Sequence, residues 1–141
     1  MKILLDTAFI NDPRAVALLA RGALNVTIAT NLYLMRSMPE AFPPLYASGV
    51  RFAPEPWAGK IEEFAHALKV LARMAGDCDD LVAYRVAELR AFGCRLAGTP
   101  PEKATVRIYG RDKKMHAQVR REDGTIEDPS RLLGMRGRRS A

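Results

Sequence analysis

The sequence predicts an α+β domain, and three observations predict it. Apolar residues recur at three- and four-residue steps between residues 60 and 92, the spacing of amphipathic helices. After residue 104 the period falls to two, the spacing of strands. An Asp123-Gly124 pair then turns one alternating stretch into the next. Helices followed by an antiparallel meander make an α+β arrangement. At 141 residues, 48% hydrophobic and 27% charged, the chain has the size and balance of one soluble domain over residues 1–135, which excludes fibrous and disordered classes.

Taken in order, Ile3 to Leu5 reads as a short strand. Met1-Lys2-Ile3-Leu4-Leu5-Asp6 offers an apolar run of only three before a carboxylate, so neither a signal peptide nor a membrane span is expected at the start, and the protein reads as cytoplasmic. Asn11-Asp12-Pro13 reads as a helix start, with Asp12 as cap and Pro13 at the first helical position. Val16, Leu19 and Ala20 form its apolar face, and Gly22 is expected to end it. Residues 24–37 stay open: Val26-Thr27-Ile28 favours a strand, while Leu32 to Met35 suits either structure.

Between Met38 and Trp57 stand Pro39, Pro43, Pro44, Pro54 and Pro56, five of the nine prolines, which exclude a regular helix or a central strand and predict a long ordered loop or cleft wall. From Lys60 to Ala75, Ile61, Phe64, Leu68, Leu71 and Ala75 predict an amphipathic helix. His66 falls on the opposite stripe with Glu62, Lys69 and Arg73, a solvated position. Gly76-Asp77 breaks the pattern, and a second helix is expected from about Asp79 to Phe92, with Val82, Val86 and Leu89 buried. Cys94 lies sixteen residues beyond Cys78, roughly 24 Å along a helix and beyond disulfide reach. Two cysteines are in any case too few for a disulfide framework, and they suit a reducing compartment.

After Gly98 and Pro100-Pro101, Ala104, Val106 and Ile108 alternate with polar residues. Met115, Ala117 and Val119 then alternate with His116, Gln118 and Arg120. Asp123-Gly124 leads into Thr125 to Asp128.

Cys78 stands at the start of a helix, where the positive end of the helix dipole and free amides favour a thiolate. Asp77, Asp79 and Asp80 oppose this unless one caps the helix and another bonds structurally, so the thiol needs a cationic partner. With His66 assigned to the surface, His116 is the remaining base, projecting among polar neighbours on the strand face opposite Met115. A three-residue loop Glu122-Asp123-Gly124 sets Arg121 opposite Thr125 and Gln118 opposite Asp128, so that Asp128 shares His116's face as its diagonal neighbour. A two-residue turn places Asp128 on the wrong face. Glu127 falls on the other face, where its charge is expected to be dispensable.

Gly76-Asp77-Cys78-Asp79-Asp80, the strand around His116, and Asp123-Gly124-Thr125-Ile126-Glu127-Asp128-Pro129-Ser130 resemble the transglutaminase-like cysteine-enzyme superfamily, especially its small bacterial and phage-encoded members. The likeness covers roughly residues 50–135. It implies a papain-like core, with Cys78 as nucleophile, His116 as base and Asp128 as orienting carboxylate. It further implies acyl transfer through a thioester on protein or peptide substrates, by hydrolysis or by transfer to an amine. The resemblance implies no cofactor and no resident metal. Residues 1–50 have no counterpart in the likeness. Larger relatives draw an oxyanion donor from an upstream Trp or Gln; Trp57 is the single Trp here, at a shorter spacing that suits packing against the proline loop.

Two other classes compete. One is a metal site of Cys78, His116, Asp128 and Asp79 or Asp80, although no short-spaced ligand pair supports it. The other is a catalytically silent domain serving as a structural or assembly module. The formal charge is +6, of which Arg136, Arg138 and Arg139 in the basic tail 136–141 supply three. No basic stripe with interleaved aromatics precedes that tail, so nucleic-acid contact is expected to be weak and confined to it. No membrane partner is expected, and the oligomeric state is left open.

Overall fold

The structure, a computed structural model, describes residues 3–6, 12–54, 61–110 and 115–136. It is α+β, with four helices and three small sheets among the described residues.

Helix α1 runs Pro13–Ser37. Asp12 caps it as expected, its carboxylate accepting the Arg14 amide at 2.9 Å. Gly22 does not end it. A glycine inside a helix costs roughly 1 kcal/mol against alanine, and Gly22 sits on the exposed side, where an added Cβ would meet only open space. Burial decides the open stretch 24–37: Ala20, Leu24, Thr27, Ile28, Asn31 and Met35 form one buried stripe at helical spacing, and α1 packs against the central helix described below. The Thr27 and Thr30 hydroxyls donate back to the Ala23 and Val26 carbonyls, which satisfies these hydroxyls within the helix. By length and composition α1 could cross a membrane, yet its inner stripe is part of this core.

The proline-rich segment is an ordered loop, as expected, with 3₁₀ turns at Pro39–Ala41 and Leu45–Ala47. Phe42, Leu45 and Val50 are buried within it. Pro56 and Trp57 lie outside the described residues. The loop leads to β2, Arg51–Phe52, which pairs in parallel with β4, Ala75–Gly76.

The helix expected over residues 60–75 is a strand and a shorter helix. Strand β3, Ile61–Phe64, pairs antiparallel with β1, Ile3–Asp6, from Ile3 opposite Phe64 to Asp6 opposite Ile61. Helix α2 is Ala67–Arg73. The three-residue step from Ile61 to Phe64 suits a helix, but pairing with a partner distant in sequence selects the strand. His66 is therefore not on an open helix stripe. It caps α2, its Nδ1 accepting the Lys69 amide at 3.4 Å.

Helix α3, Cys78–Phe92, is the centre of the fold. The expected stripe of Val82, Val86 and Leu89 is buried, and so is every residue from Asp80 to Leu89. That includes three charged residues, Asp80, Arg85 and Glu88. Glu88 binds Arg85 at 2.9 Å and Arg95 at 2.7 Å and accepts the Leu45 amide. Arg95 also donates to the Phe42 carbonyl, and the Tyr84 hydroxyl to that of Pro43. These bonds fasten the proline loop onto α3 and satisfy groups that would be costly to bury unpaired.

Strands β5, Thr105–Tyr109, β6, His116–Arg120, and β7, Ile126–Glu127, form an antiparallel sheet in that order. Ala104, Ala117 and Val119 are buried, where β6 packs on α3. Helix α4, Pro129–Leu132, follows at once.

Candidate active site

Cys78 occupies the first turn of α3. Asp77 is the cap, and its carboxylate accepts the Asp80 amide at 3.1 Å while the Asp80 carboxylate accepts the Asp77 amide at 3.2 Å, a reciprocal capping box. Asp80 also accepts the Ala65 amide at 2.8 Å, tying the end of β3 to the start of α3. Two of the three neighbouring aspartates thus have the structural duties that a reactive thiol beside them would require. The third does not turn away: the Cys78 thiol donates to Asp79 Oδ1 at 3.8 Å. Gly76 is the close-packed base of this turn, since a Cβ there would lie 3.0 Å from Asp80 Cβ and 3.3 Å from Leu81 Cδ2.

His116 opens β6, opposite Tyr109 of β5, whose ring meets the imidazole edge to face at 5.6 Å. The hairpin register places the carboxylate. Val119 faces Glu127 and Arg120 faces Ile126, the Arg121 amide donates to the Thr125 carbonyl, and Gly124 adopts a φ of 88°. This is the three-residue loop, with glycine in the left-handed position that other residues rarely adopt.

Asp128 follows directly after β7 and caps α4, accepting the Arg131 amide at Oδ1. Its Oδ2 lies 2.8 Å from His116 Nε2, with both side chains largely buried. The same oxygen accepts from Gln118 Nε2 at 3.1 Å and has Arg131 Nε at 3.5 Å. Burial by itself would raise the Asp128 pKa, but the bonds from Gln118 and His116 outweigh it and hold the carboxyl below its usual range. The sequence sets Gln118 on the face of His116 and opposite Asp128, but its role as a second donor to that carboxylate emerges only from the structure.

Glu127 does point the other way, but onto the core rather than into water. It receives Arg85 through two bonds, Nε at 2.8 Å and Nη2 at 3.1 Å. Its cross-strand partner Val119 is buried where the sheet packs on α3, so Glu127 shares that face and its charge is engaged there.

Cys94 carries a signal that the sequence did not reveal. Arg85 Nη2 lies 3.5 Å from its sulfur, and that hydrogen bond, against the opposing effect of burial, lowers the thiol's pKa. Neither cysteine forms a disulfide. Among the described residues, no three His, Cys, Asp or Glu side chains converge to hold a metal ion, so the alternative ligand set is not assembled there. Comparison with protein families, curated proteins and solved structures yields no match.

Proposed function

We propose that this chain carries out thiol-dependent acyl transfer on amide or peptide substrates, acting as protease, amidase or transglutaminase on a transglutaminase-like core, through Cys78, His116 and Asp128. The observation that carries the reading is the His116–Asp128 pair at 2.8 Å, held in the sheet that packs on the helix opened by Cys78. With Nε2 engaged by the carboxylate, Nδ1 is the nitrogen left to serve a thiol. In the proposed cycle it takes the thiol proton as Sγ attacks the carbonyl carbon. The Cys78 amide at the helix start stabilises the oxyanion. Collapse breaks the carbon–nitrogen bond, the imidazolium protonates the leaving amine, and Asp128 stabilises the imidazolium. Water or a second amine then releases the acyl group from the thioester. The proposal needs no cofactor, takes a protein or peptide as partner, and sets the activity in the cytoplasm.

A second reading, a catalytically silent assembly module, is favoured by one contact. The Cys78 bond to Asp79 is one a thiol makes and a thiolate cannot.

The two separate on exposure to a p-nitrophenyl ester, with intact-mass and peptide mapping. The enzyme reading expects a transient acyl adduct on Cys78, absent in Cys78→Ser and slowed in His116→Ala. No adduct, or equal adducts on both cysteines, favours the silent module.

A further inference from the structure

Helix α3 has a second polar neighbourhood near its other end. Arg90 lies twelve residues from Cys78, about 18 Å along the helix axis. There α1 and the chain entering β5 enclose an open groove of about 350 Å³, within the ~300–1,000 Å³ range of small-ligand sites. Its walls include Leu32, Arg36, Arg90, Glu102, Lys103 and Thr105.

The charges around this groove do not balance. Glu102 is committed elsewhere, accepting Arg121 Nε at 2.6 Å and Nη2 at 2.7 Å and also the Glu122 amide. Among the described residues, Arg36, Arg90 and Lys103 form no salt bridge. Arg90 is partly withdrawn from water, with Nε donating to the Ala104 carbonyl at 2.8 Å, and that burial draws its pKa down. Arg90 shares the groove with two further cations, Arg36 and Lys103, and no carboxylate among the described residues forms an ion pair with any of the three.

We propose that this groove binds a small phosphate-bearing ligand, held by Arg36, Arg90 and Lys103. Three cations overcompensate a single carboxylate but match the two or more charges of a phosphoester or diphosphate. The arginine forks fit the tetrahedral oxygens, while lysine acts as a mobile point charge. The Thr105 hydroxyl supplies a further donor. The site does not depend on the acyl-transfer reading.

The test is titration calorimetry of the full chain with inorganic pyrophosphate at constant ionic strength. Arg90 is left intact because it fastens Ala104; the variant is Arg36→Gln with Lys103→Gln, both at exposed positions. Saturable binding is expected, with affinity reduced at least roughly tenfold, or ~1.4 kcal/mol, in the double variant. Arg14→Gln with Arg120→Gln removes the same charge at exposed positions outside the groove and leaves the affinity unchanged. No saturation up to about 10 mM overturns the site, that being weaker than ordinary specific binding. Equal losses in both double variants also overturn it, by showing charge attraction alone. Succinate binding as tightly as pyrophosphate overturns the phosphate assignment.

Discussion

His116 Nε2 and Asp128 Oδ2 lie 2.8 Å apart although twelve residues separate them. Their meeting depends on the three-residue loop, and the same Asp128 also caps α4, so imidazole orientation and the start of a helix share one carboxylate.

Replacing Asp128 with Asn keeps a capping oxygen but removes the charge that stabilises an imidazolium. Acylation of Cys78 by an activated ester is expected to slow by several orders of magnitude, as charge removal does in a comparable triad, while circular dichroism stays unchanged. Asp128→Ala loses the cap as well, adding about 1 kcal/mol of instability. Unchanged acylation in folded Asp128→Asn would remove this residue from the mechanism.

The depressed Asp128 pKa fixes the sign of a pH effect. Because the folded state binds this proton less readily than the unfolded state, the contribution to stability is complete above the unfolded value of about 3.9. It fades as pH falls through the lower folded value. Denaturant midpoints of the wild type and Asp128→Asn are therefore expected to differ most near neutrality and to converge in acid. A gap that widens in acid would contradict the sign.

The two thiols are expected to respond to different neighbours. Arg85 favours the Cys94 thiolate, so iodoacetamide labels Cys94 below the ordinary thiol pKa of about 8.5, and its labelling is indifferent to His116→Ala. Labelling of Cys78 falls in that variant. Peptide mapping after short exposures reads both rates, and an unchanged Cys78 rate in His116→Ala would separate thiol from imidazole.

Glu127→Gln is expected to destabilise the fold strongly. It weakens a buried ion pair and leaves Arg85 with reduced compensation, in a setting where loss of one partner costs about 3–5 kcal/mol. Glu122→Gln, at an exposed loop position, is the neutral comparison. Equal urea midpoints for the two variants would show that Arg85 is satisfied by Glu88 alone.

The elements legible in the residues were those whose signals are local. Asp12-Pro13 marks a helix start, the prolines between Met38 and Trp57 forbid a regular helix, and Gly124 with the strand alternation sets the register that joins His116 to Asp128. Each depends on backbone chemistry within a few residues, so it can be read without knowing the fold. Elsewhere the local signal was ambiguous or misleading, and contacts distant in sequence decided. Residues 24–37 are helical because Leu24, Ile28 and Met35 bury together, while Ile61–Phe64 is a strand because β1 pairs with it. Glu127 and Cys94 acquire their chemistry from Arg85, which reaches one 42 residues and the other nine residues away. Periodicity reports which face of an element is apolar, but only tertiary packing supplies what that face meets, and the charge state of a buried side chain follows from that neighbour.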